Sequence, residues 1–181
     1  MYHMLQKSTT QKILEIFFDE PTKAHYLKEI SRKALISHTA IKKPLEELVK
    51  LNLILKRHEK KGKRKFPIFE ANLEHPKFRR LKKGYNLESL YESGIVEKIR
   101  DGLMPKSIVL FGSYSRGEDI EDSDIDIFVE SSKEEIKLKS FEDKLKRKVN
   151  ILFKEDINKL PPEIKENIIN GIVLEGAIEL K

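Results

Sequence analysis

Four residues in the second half of the chain have the types and the spacing of a site for phosphate and a divalent cation. Gly112 and Ser113 follow a short apolar run, and Asp124 and Asp126 follow after ten further residues. On a strand, residues two apart share a face, which would place the two carboxylates about 7 Å apart. Carboxylates this close repel each other unless a cation joins them, and Mg²⁺ favours a few carboxylates together with substrate phosphates. A glycine at a helix start lets phosphate reach free backbone N–H groups. The alternative interpretation is that the whole segment is a solvated acidic loop.

Short strands must position these four residues. The run "SIVLFGS" predicts a buried strand, "YSRGED" a turn or short helix, and "SDIDIFVE" a second strand with strict alternation. That alternation places Asp124, Asp126, Phe128 and Glu130 on one face, and Ile125, Ile127 and Val129 on the other. Downstream, "KEEIKLKSFEDKLKR" is typical of a helix, "KVNILFKED" of a strand, and "PPEIKENIINGIVLEGAIELK" of a helix followed by an apolar run. The second half therefore combines strands with helices.

The order Gly-Ser, ten residues and Asp-x-Asp is the signature of the DNA polymerase β-type nucleotidyltransferase superfamily. Residues 105–181 resemble its minimal members, which include the antitoxin partners of HEPN toxins. The resemblance implies a small mixed sheet flanked by helices, within an α+β chain. It also implies that Gly112 and Ser113 hold the β- and γ-phosphates of a nucleoside triphosphate, and that Asp124 and Asp126 bind two Mg²⁺ ions. Arg116, in the turn, would either contact phosphate or lie in solvent.

The third catalytic position of that superfamily departs from the pattern. Active members carry a third carboxylate on a later strand, where this chain has Asn150. An amide offers a neutral oxygen but cannot take a proton, and loss of a catalytic base typically lowers the rate by ~10²–10⁴. Glu130 and Asp156 are alternative carboxylates for this role. We therefore expect nucleotide binding and leave turnover open: the domain either binds the nucleotide without catalysis or transfers it, for example AMP onto a protein.

Composition excludes several other kinds of site. The chain has no cysteine, so disulfides and thiolate chemistry are excluded. Its five histidines show no i, i+4 pair, which argues against a histidine metal site. Residues 1–100 carry 23 Lys and Arg against 12 Asp and Glu, whereas residues 101–181 carry 13 against 18. A basic half joined to an acidic half suggests two domains, and polyanion binding belongs to the first.

The first half has the pattern of three helices and a hairpin. Apolar residues four apart predict a first helix that Thr9 or Thr10 caps and Pro21 ends, and a second over "HYLKEISRKA". Ser37 is a plausible N-cap for the third helix, although Pro44 inside it would cost ~3 kcal/mol or more, so that the helix kinks there or starts later. Asn52 would end this helix in a left-handed conformation. "LILKRHEKKGKRKFPIFEAN" then predicts two strands with Gly62 at the turn.

This order resembles the winged helix-turn-helix regulators over residues 8–72, which implies binding of double-stranded DNA. The N-terminal residues of a recognition helix meet base edges in the major groove, and a basic wing neutralises phosphates. The segment 56–65 holds seven Lys or Arg and one Glu; the alternative is an ordinary solvated turn. The predicted DNA-contacting residues are Ser37, His38, Thr39, Lys42, Lys43, Lys60, Lys61, Lys63 and Arg64.

A helical segment is predicted between the two domains. We therefore divide the chain into a DNA-binding domain (1–75), a helical connector (76–104) and a nucleotidyltransferase-like domain (105–181). The basic run of the connector, which comprises Lys77, Arg79, Arg80, Lys82 and Lys83, either extends a DNA-binding face or is solvated. Its apolar residues could form a homodimer interface, and a toxin-like protein is a further candidate partner. Both domains could alternatively serve only as scaffolds. No apolar run reaches the ~18 residues of a membrane helix, so we expect a cytoplasmic protein.

Overall fold

The computed structural model describes residues 7–180 of the chain. It divides into two compact units, Met1–Arg79 and Arg80–Lys181. Both units combine helices with one small sheet, so the predicted α+β class is confirmed.

The first unit contains three helices and a three-stranded antiparallel sheet. Apolar side chains at helical spacing, among them Ile13, Phe17 and Ile30, are fully buried between the helices. The sheet has the order β1-β3-β2. Its elements are α1 (Thr9–Asp19), β1 (His25–Tyr26), α2 (Leu27–Ala34), α3 (His38–Lys50), β2 (Ile54–Lys61) and β3 (Arg64–Ala71).

The boundaries of α1 and α2 differ from the prediction. Ser8 caps α1, because its hydroxyl accepts the N–H of Gln11 at 3.2 Å, and Thr9 already lies inside the helix. His25 and Tyr26, which were expected to begin the second helix, form β1 and pair with β3. A two-residue strand has no periodicity of its own, so only the tertiary pairing reveals it.

Helix α3 begins where the sequence indicates. Ser37 is its N-cap, and the Ser37 hydroxyl accepts the N–H of Ala40 at 3.3 Å. Pro44 lies inside the helix, which continues to Lys50, so the later start, one of the two alternatives, is wrong. Asn52 has the predicted left-handed conformation, with φ of 56°.

The hairpin of β2 and β3 turns within two residues. Lys61 pairs with Arg64, which leaves Gly62 and Lys63 as the turn. Gly62 has φ of 60°, a value that glycine adopts without strain and that the first position of a tight hairpin turn requires. Most of the basic residues between 56 and 65 therefore lie on paired strands rather than in a loop.

The second unit is built on a four-stranded mixed sheet of order β6-β5-β4-β7. Strands β5 and β6 are parallel, and β4 is antiparallel to both β5 and β7. The chain runs through α4 (Pro76–Ser93), α5 (Ile95–Leu103), β4 (Ser107–Phe111), α6 (Gly112–Arg116), β5 (Ile125–Val129), α7 (Lys139–Leu145), β6 (Val149–Phe153), a 3₁₀ turn (Ile157–Lys159), α8 (Pro162–Ile169) and β7 (Ile172–Gly176).

Both faces of this sheet are covered. Ile125, Ile127 and Val129 pack into a core that includes Leu90 of α4 and Ile95 of α5. The segment taken from the sequence as a connector therefore supplies core side chains of the second unit.

The opposite face packs Phe128 against the 3₁₀ turn and α8, through Ile157 and Ile168. Glu130, at the far end of this face, is also buried. Asp126 is only half-buried, so the end of the sheet that carries it is partly open. No helix among residues 7–180 is both long and apolar enough to cross a membrane.

Candidate nucleotide site

Gly112 and Asp126 are in direct contact at the open end of the sheet. Phe111, the last residue of β4, pairs with Asp126 of β5, and α6 begins immediately after it at Gly112. Gly112 has φ of 75°, and a Cβ atom added there would lie 2.6 Å from Oδ2 of Asp126. A side chain at this position would therefore have to displace the carboxylate, and it would also be strained by the positive φ. The backbone that starts α6, which is half-buried at Gly112, therefore lies directly next to Asp126.

Asn150 lies next to both aspartates. Strand β6 runs parallel to β5 in the register that pairs Asn150 with Asp126. The amide Nδ2 of Asn150 donates to Oδ2 of Asp124 at 3.0 Å and to Oδ1 of Asp126 at 3.4 Å. The three side chains that the sequence singled out thus lie together at one end of the sheet.

The carboxyl group of Asp126 is electrostatically perturbed. Partial burial raises its pKa above the ordinary 3.8, and the negative charge of Asp124 acts in the same direction. The hydrogen bond from Asn150 partly opposes this rise. Two acidic groups in one half-buried place favour a cation between them, because neutralisation removes their repulsion.

The remaining predicted phosphate contacts lie around α6. Ser113 is the second residue of this helix and is half-buried, next to the glycine. Arg116, at the end of the helix, is exposed, and its Nε donates to Oε2 of Glu118 at 2.7 Å.

Neither alternative third carboxylate lies at this site. Glu130 is bound at the opposite end of the sheet, where Oε2 accepts the hydroxyl of Ser107 at 2.9 Å and Oε1 accepts the N–H of Ile157 at 3.2 Å. Asp156 caps the 3₁₀ turn by accepting the N–H of Asn158 at 2.9 Å. Both acids are held by structural hydrogen bonds, so Asn150 has no carboxylate substitute at either position.

A polar cavity of about 740 Å³ opens beside Asp124. It lies between the segment that precedes β5 and the segment that joins α7 to β6. Its lining mixes acids with the basic residues Lys139, Lys146, Arg147 and Lys148. This cavity offers room for a polar molecule next to Asp124.

Sequence reasoning missed a buried ionic network below α6. Lys82 and Asp119 are fully buried, and Lys82 Nζ lies 2.5 Å from Oδ2 of Asp119. Lys82 was expected to be solvated or to extend a DNA-binding face, and its pairing with Asp119 was not foreseen. The available signal was weak: Lys82, Asn86 and Leu90 follow one another at four-residue spacing, which is the face of a helix.

The residues predicted to contact DNA are all exposed in the first unit. The hydroxyl of Ser37 is already engaged as the cap of α3, and it also lies 3.2 Å from the hydroxyl of Thr39. The ammonium group of Lys61 lies 4.7 Å from the ring centre of Tyr26. The remaining side chains of the set extend from the start of α3 and from the hairpin.

His25 is a buried histidine between two glutamates. Its ring nitrogens lie 3.4 Å from Oε2 of Glu20 and from Oε1 of Glu29. The ammonium group of Lys33 contacts both carboxylates. Burial lowers the pKa of the imidazole below its ordinary 6.5, although Glu29 opposes the shift. The two carboxylates are thus already paired with the ammonium groups of two lysines, Lys33 and Lys23.

Comparison with known proteins agrees with this geometry. The family described as "Nucleotidyltransferase domain" matches residues 92–174. A protein of Methanocaldococcus jannaschii, "Putative protein adenylyltransferase MJ1379", is 39% identical over 83 residues, which cover 41% of this chain and 81% of the relative. A second from the same organism, "Putative protein adenylyltransferase MJ1215", is 42% identical over 57 residues, which cover 30% of this chain and 66% of the relative. No solved structure matches the chain. The chain belongs to the nucleotidyltransferase domain family.

Proposed function

We propose that the second unit binds a nucleoside triphosphate together with Mg²⁺ and that Asn150 suppresses nucleotide transfer. The observation that carries this proposal is the pair of hydrogen bonds from the Asn150 amide to Asp124 and Asp126. Two carboxylates lie beside a glycine that would let a phosphate approach, whereas a neutral amide lies where the family resemblance implies a third acid. Binding needs the first three groups, and transfer also needs a group that can take a proton.

The residues at the site fit a magnesium ion. Asp124 and Asp126 supply hard carboxylate oxygens, which Mg²⁺ prefers. Asn150 could add a carbonyl oxygen if its amide turned over, because the two ends of an amide have nearly the same shape. When bound, the ion would neutralise the aspartates and the phosphates of the nucleotide.

Groups of α6 would contact the phosphates of the nucleotide. The backbone N–H groups at the start of α6 and the hydroxyl of Ser113 would hold the terminal phosphates. Gly112 keeps the backbone open, because no side chain stands between it and Asp126. This arrangement would direct the α-phosphate towards the aspartates and the cavity beside Asp124.

Adenylyl transfer onto a protein is the alternative activity, and the names of the two relatives favour it. In that reaction an acceptor hydroxyl oxygen would attack the α-phosphorus, the bond from this phosphorus to the bridging oxygen would break, and pyrophosphate would leave. The hydroxyl proton must be taken up, and the amide of Asn150 has no basic atom for it. The acceptor would be a partner protein of toxin type or another copy of this chain.

Binding and transfer can be separated with two nucleotides. Purified full-length protein is titrated with fluorescent ATP in the presence of Mg²⁺, and is then incubated with ATP labelled at the α-phosphate. We expect saturable binding that Asp124→Asn abolishes, and little label on protein. Unchanged binding by Asp124→Asn would exclude this site, and strong labelling that Asp124→Asn removes would establish the enzyme instead.

We further propose that the first unit is a winged-helix domain that binds double-stranded DNA. The supporting observation is that the N-terminal residues of α3 and the cations of the hairpin are exposed on the same unit. A helix N-terminus that carries His38, Lys42 and Lys43 could meet base edges, and the hairpin could neutralise phosphates. Fluorescence anisotropy of a mixed-sequence duplex over a range of salt concentrations tests this function.

A further inference from the structure

One face of α4 holds the segments of the nucleotide site together. Asn86 donates through Nδ2 to the carbonyl oxygen of Tyr114 at 2.9 Å and to Oδ1 of Asp119 at 2.7 Å. One turn earlier on the same face, Lys82 forms an ion pair with the other oxygen of Asp119. Arg147 approaches this oxygen as well, at 3.9 Å. A single buried carboxylate therefore receives groups from two different parts of the chain.

Each of these segments leads directly to the site. Tyr114 follows Ser113 in α6, and the N–H of Glu118 donates to the carbonyl oxygen of Ser113 at 3.0 Å. Asp119 comes next and begins the segment that ends at Asp124. Arg147 lies three residues before Asn150 and two residues before β6 begins at Val149. The network thus links α6, the segment that leads from Asp119 to Asp124, and the start of β6, which carries Asn150.

The burial of these charges indicates a role in geometry rather than in stability. Taking an ammonium group and a carboxylate out of water is unfavourable, and their attraction offsets this only when the contacts are well formed. Apolar residues of similar volume would serve packing at least as well. A polar group with several directed contacts does what an apolar one cannot, because it fixes the distances between the segments that it joins.

We propose that Asp119 is a positioning residue of the nucleotide site. Its carboxylate, held by Lys82 and Asn86, keeps helix α6 and the segment before Asp124 at the spacing that the triphosphate needs. This proposal rests on the proposed nucleotide binding and deepens it. Preorganised phosphate contacts bind more tightly because fewer groups must be ordered when the ligand arrives.

The test replaces both buried charges at once. The double variant Asp119→Leu/Lys82→Met removes one buried cation and one buried anion, so it leaves the net charge of the interior unchanged, and it preserves most of the volume. We expect binding of fluorescent ATP with Mg²⁺ to weaken by about tenfold to hundredfold, while the thermal unfolding midpoint stays near that of the wild type. Ser107→Ala is the matched control: it removes a buried hydrogen bond to Glu130 at the other end of the sheet and should leave nucleotide affinity unchanged.

A second measurement keeps this proposal separate from the proposed function. Amide hydrogen exchange of the ligand-free proteins should show faster exchange in the double variant at residues 112–124 and at the start of β6, with the rest of the sheet unchanged. If the wild type does not bind nucleotide, the proposed function fails and the exchange result alone decides the positioning role. Wild-type affinity in the double variant, or unchanged exchange at residues 112–124, overturns the proposal.

Discussion

Asn150 lies directly beside Asp126 on the neighbouring parallel strand, and its side-chain amide donates to the Asp126 carboxylate at 3.4 Å. The same amide reaches Asp124 at 3.0 Å. In this arrangement the positive end of a neutral dipole occupies the place between two acids where a cation would otherwise relieve their repulsion. The ligand-free site is therefore stabilised by a hydrogen-bond donor that also opposes the rise in the pKa of Asp126.

Asn150→Asp should make the site dependent on metal. Without Mg²⁺ we expect the free energy of unfolding to fall by roughly 1 kcal/mol, because two hydrogen bonds to carboxylates are lost and a third acid is added at an exposed position. With Mg²⁺ the variant should regain stability and bind the ion more tightly than the wild type. Thermal unfolding with and without MgCl₂, and transfer of label from ATP, measure both effects.

Asn158→Asp is the matched control for this change. Asn158 also donates to an aspartate, Asp156, but at the 3₁₀ turn. Its variant should lose stability with no gain from Mg²⁺. If Asn150→Asp behaves like Asn158→Asp, with neither tighter metal binding nor label transfer, Asn150 does not occupy the third position.

Gly112→Ala should damage the site directly. The new Cβ would lie 2.6 Å from the Asp126 carboxylate, and the residue has φ of 75°, which strains any side chain. We expect a loss of about 1–2 kcal/mol in unfolding free energy and loss of detectable nucleotide binding. Gly84→Ala is the control in α4, where a Cβ meets nothing within 4 Å and should stabilise by about 0.5–1 kcal/mol. Equal nucleotide affinity of the two variants would contradict the contact with Asp126.

The first unit should become less stable as the pH decreases through the range where His25 titrates. Because burial lowers the pKa of His25 in the folded state, the unfolded state takes up the proton first as the pH falls. The stabilisation is complete above the ordinary pKa of 6.5 and is lost as the pH drops from there towards the lower folded value. Urea unfolding followed by NMR signals of the first unit between pH 7.5 and 5 measures this slope.

Two variants assign that slope to one histidine. His25→Gln should flatten it, whereas His58→Gln, which changes an exposed residue of the hairpin, should leave it unchanged. The pKa values of Glu20 and Glu29 are also lowered in the folded state; burial opposes their shifts, but Lys33 and His25 stabilise the charged forms. The stability that these two glutamates contribute is lost only at more acidic pH, when the pH falls below 4.5. A slope near pH 6 that survives in His25→Gln would contradict this assignment.

DNA binding should depend on the cations of the hairpin. Changing Lys60, Lys61, Lys63 and Arg64 to Ala should weaken duplex binding and reduce the steepness of its salt dependence, because about four fewer counterions are released. Anisotropy titrations at several salt concentrations give both quantities. The control removes four exposed lysines of the second unit, Lys133, Lys137, Lys154 and Lys159, and should leave the slope unchanged. If both variants lost the same amount of duplex affinity, the effect would be due to net charge and not to the hairpin.

The sequence was sufficient to locate the candidate site because the relevant signals are local. The alternation of Asp124, Ile125, Asp126 and Ile127 sets which side chains share a face, and a Gly-Ser pair after an apolar strand marks the turn. Asn150 was singled out by the family resemblance, and the register of the parallel pair β5 and β6 places it beside Asp126. The expected cap at Ser37 and the left-handed Asn52 also follow from short-range chemistry.

Features that depend on distant partners could not be predicted in this way. Lys82 lies in a run of cations, where a lysine is normally solvated, and only its pairing with Asp119 explains its burial. Glu130 shares a face with Asp126 by periodicity, but Ser107 and the 3₁₀ turn enclose it. In both cases a charged side chain is removed from water by an element far away in sequence.

Helix α4 runs without interruption from Pro76 to Ser93, and the boundary between the compact units falls inside it, after Arg79. Expression of the second unit alone from Arg80 would therefore leave Lys82 in a frayed first turn, where its ammonium group could no longer be held against Asp119. A shortened protein that begins at or before Pro76 retains the turn that precedes Lys82. The choice of the first residue thus decides whether the isolated second unit can be compared with the full chain at all.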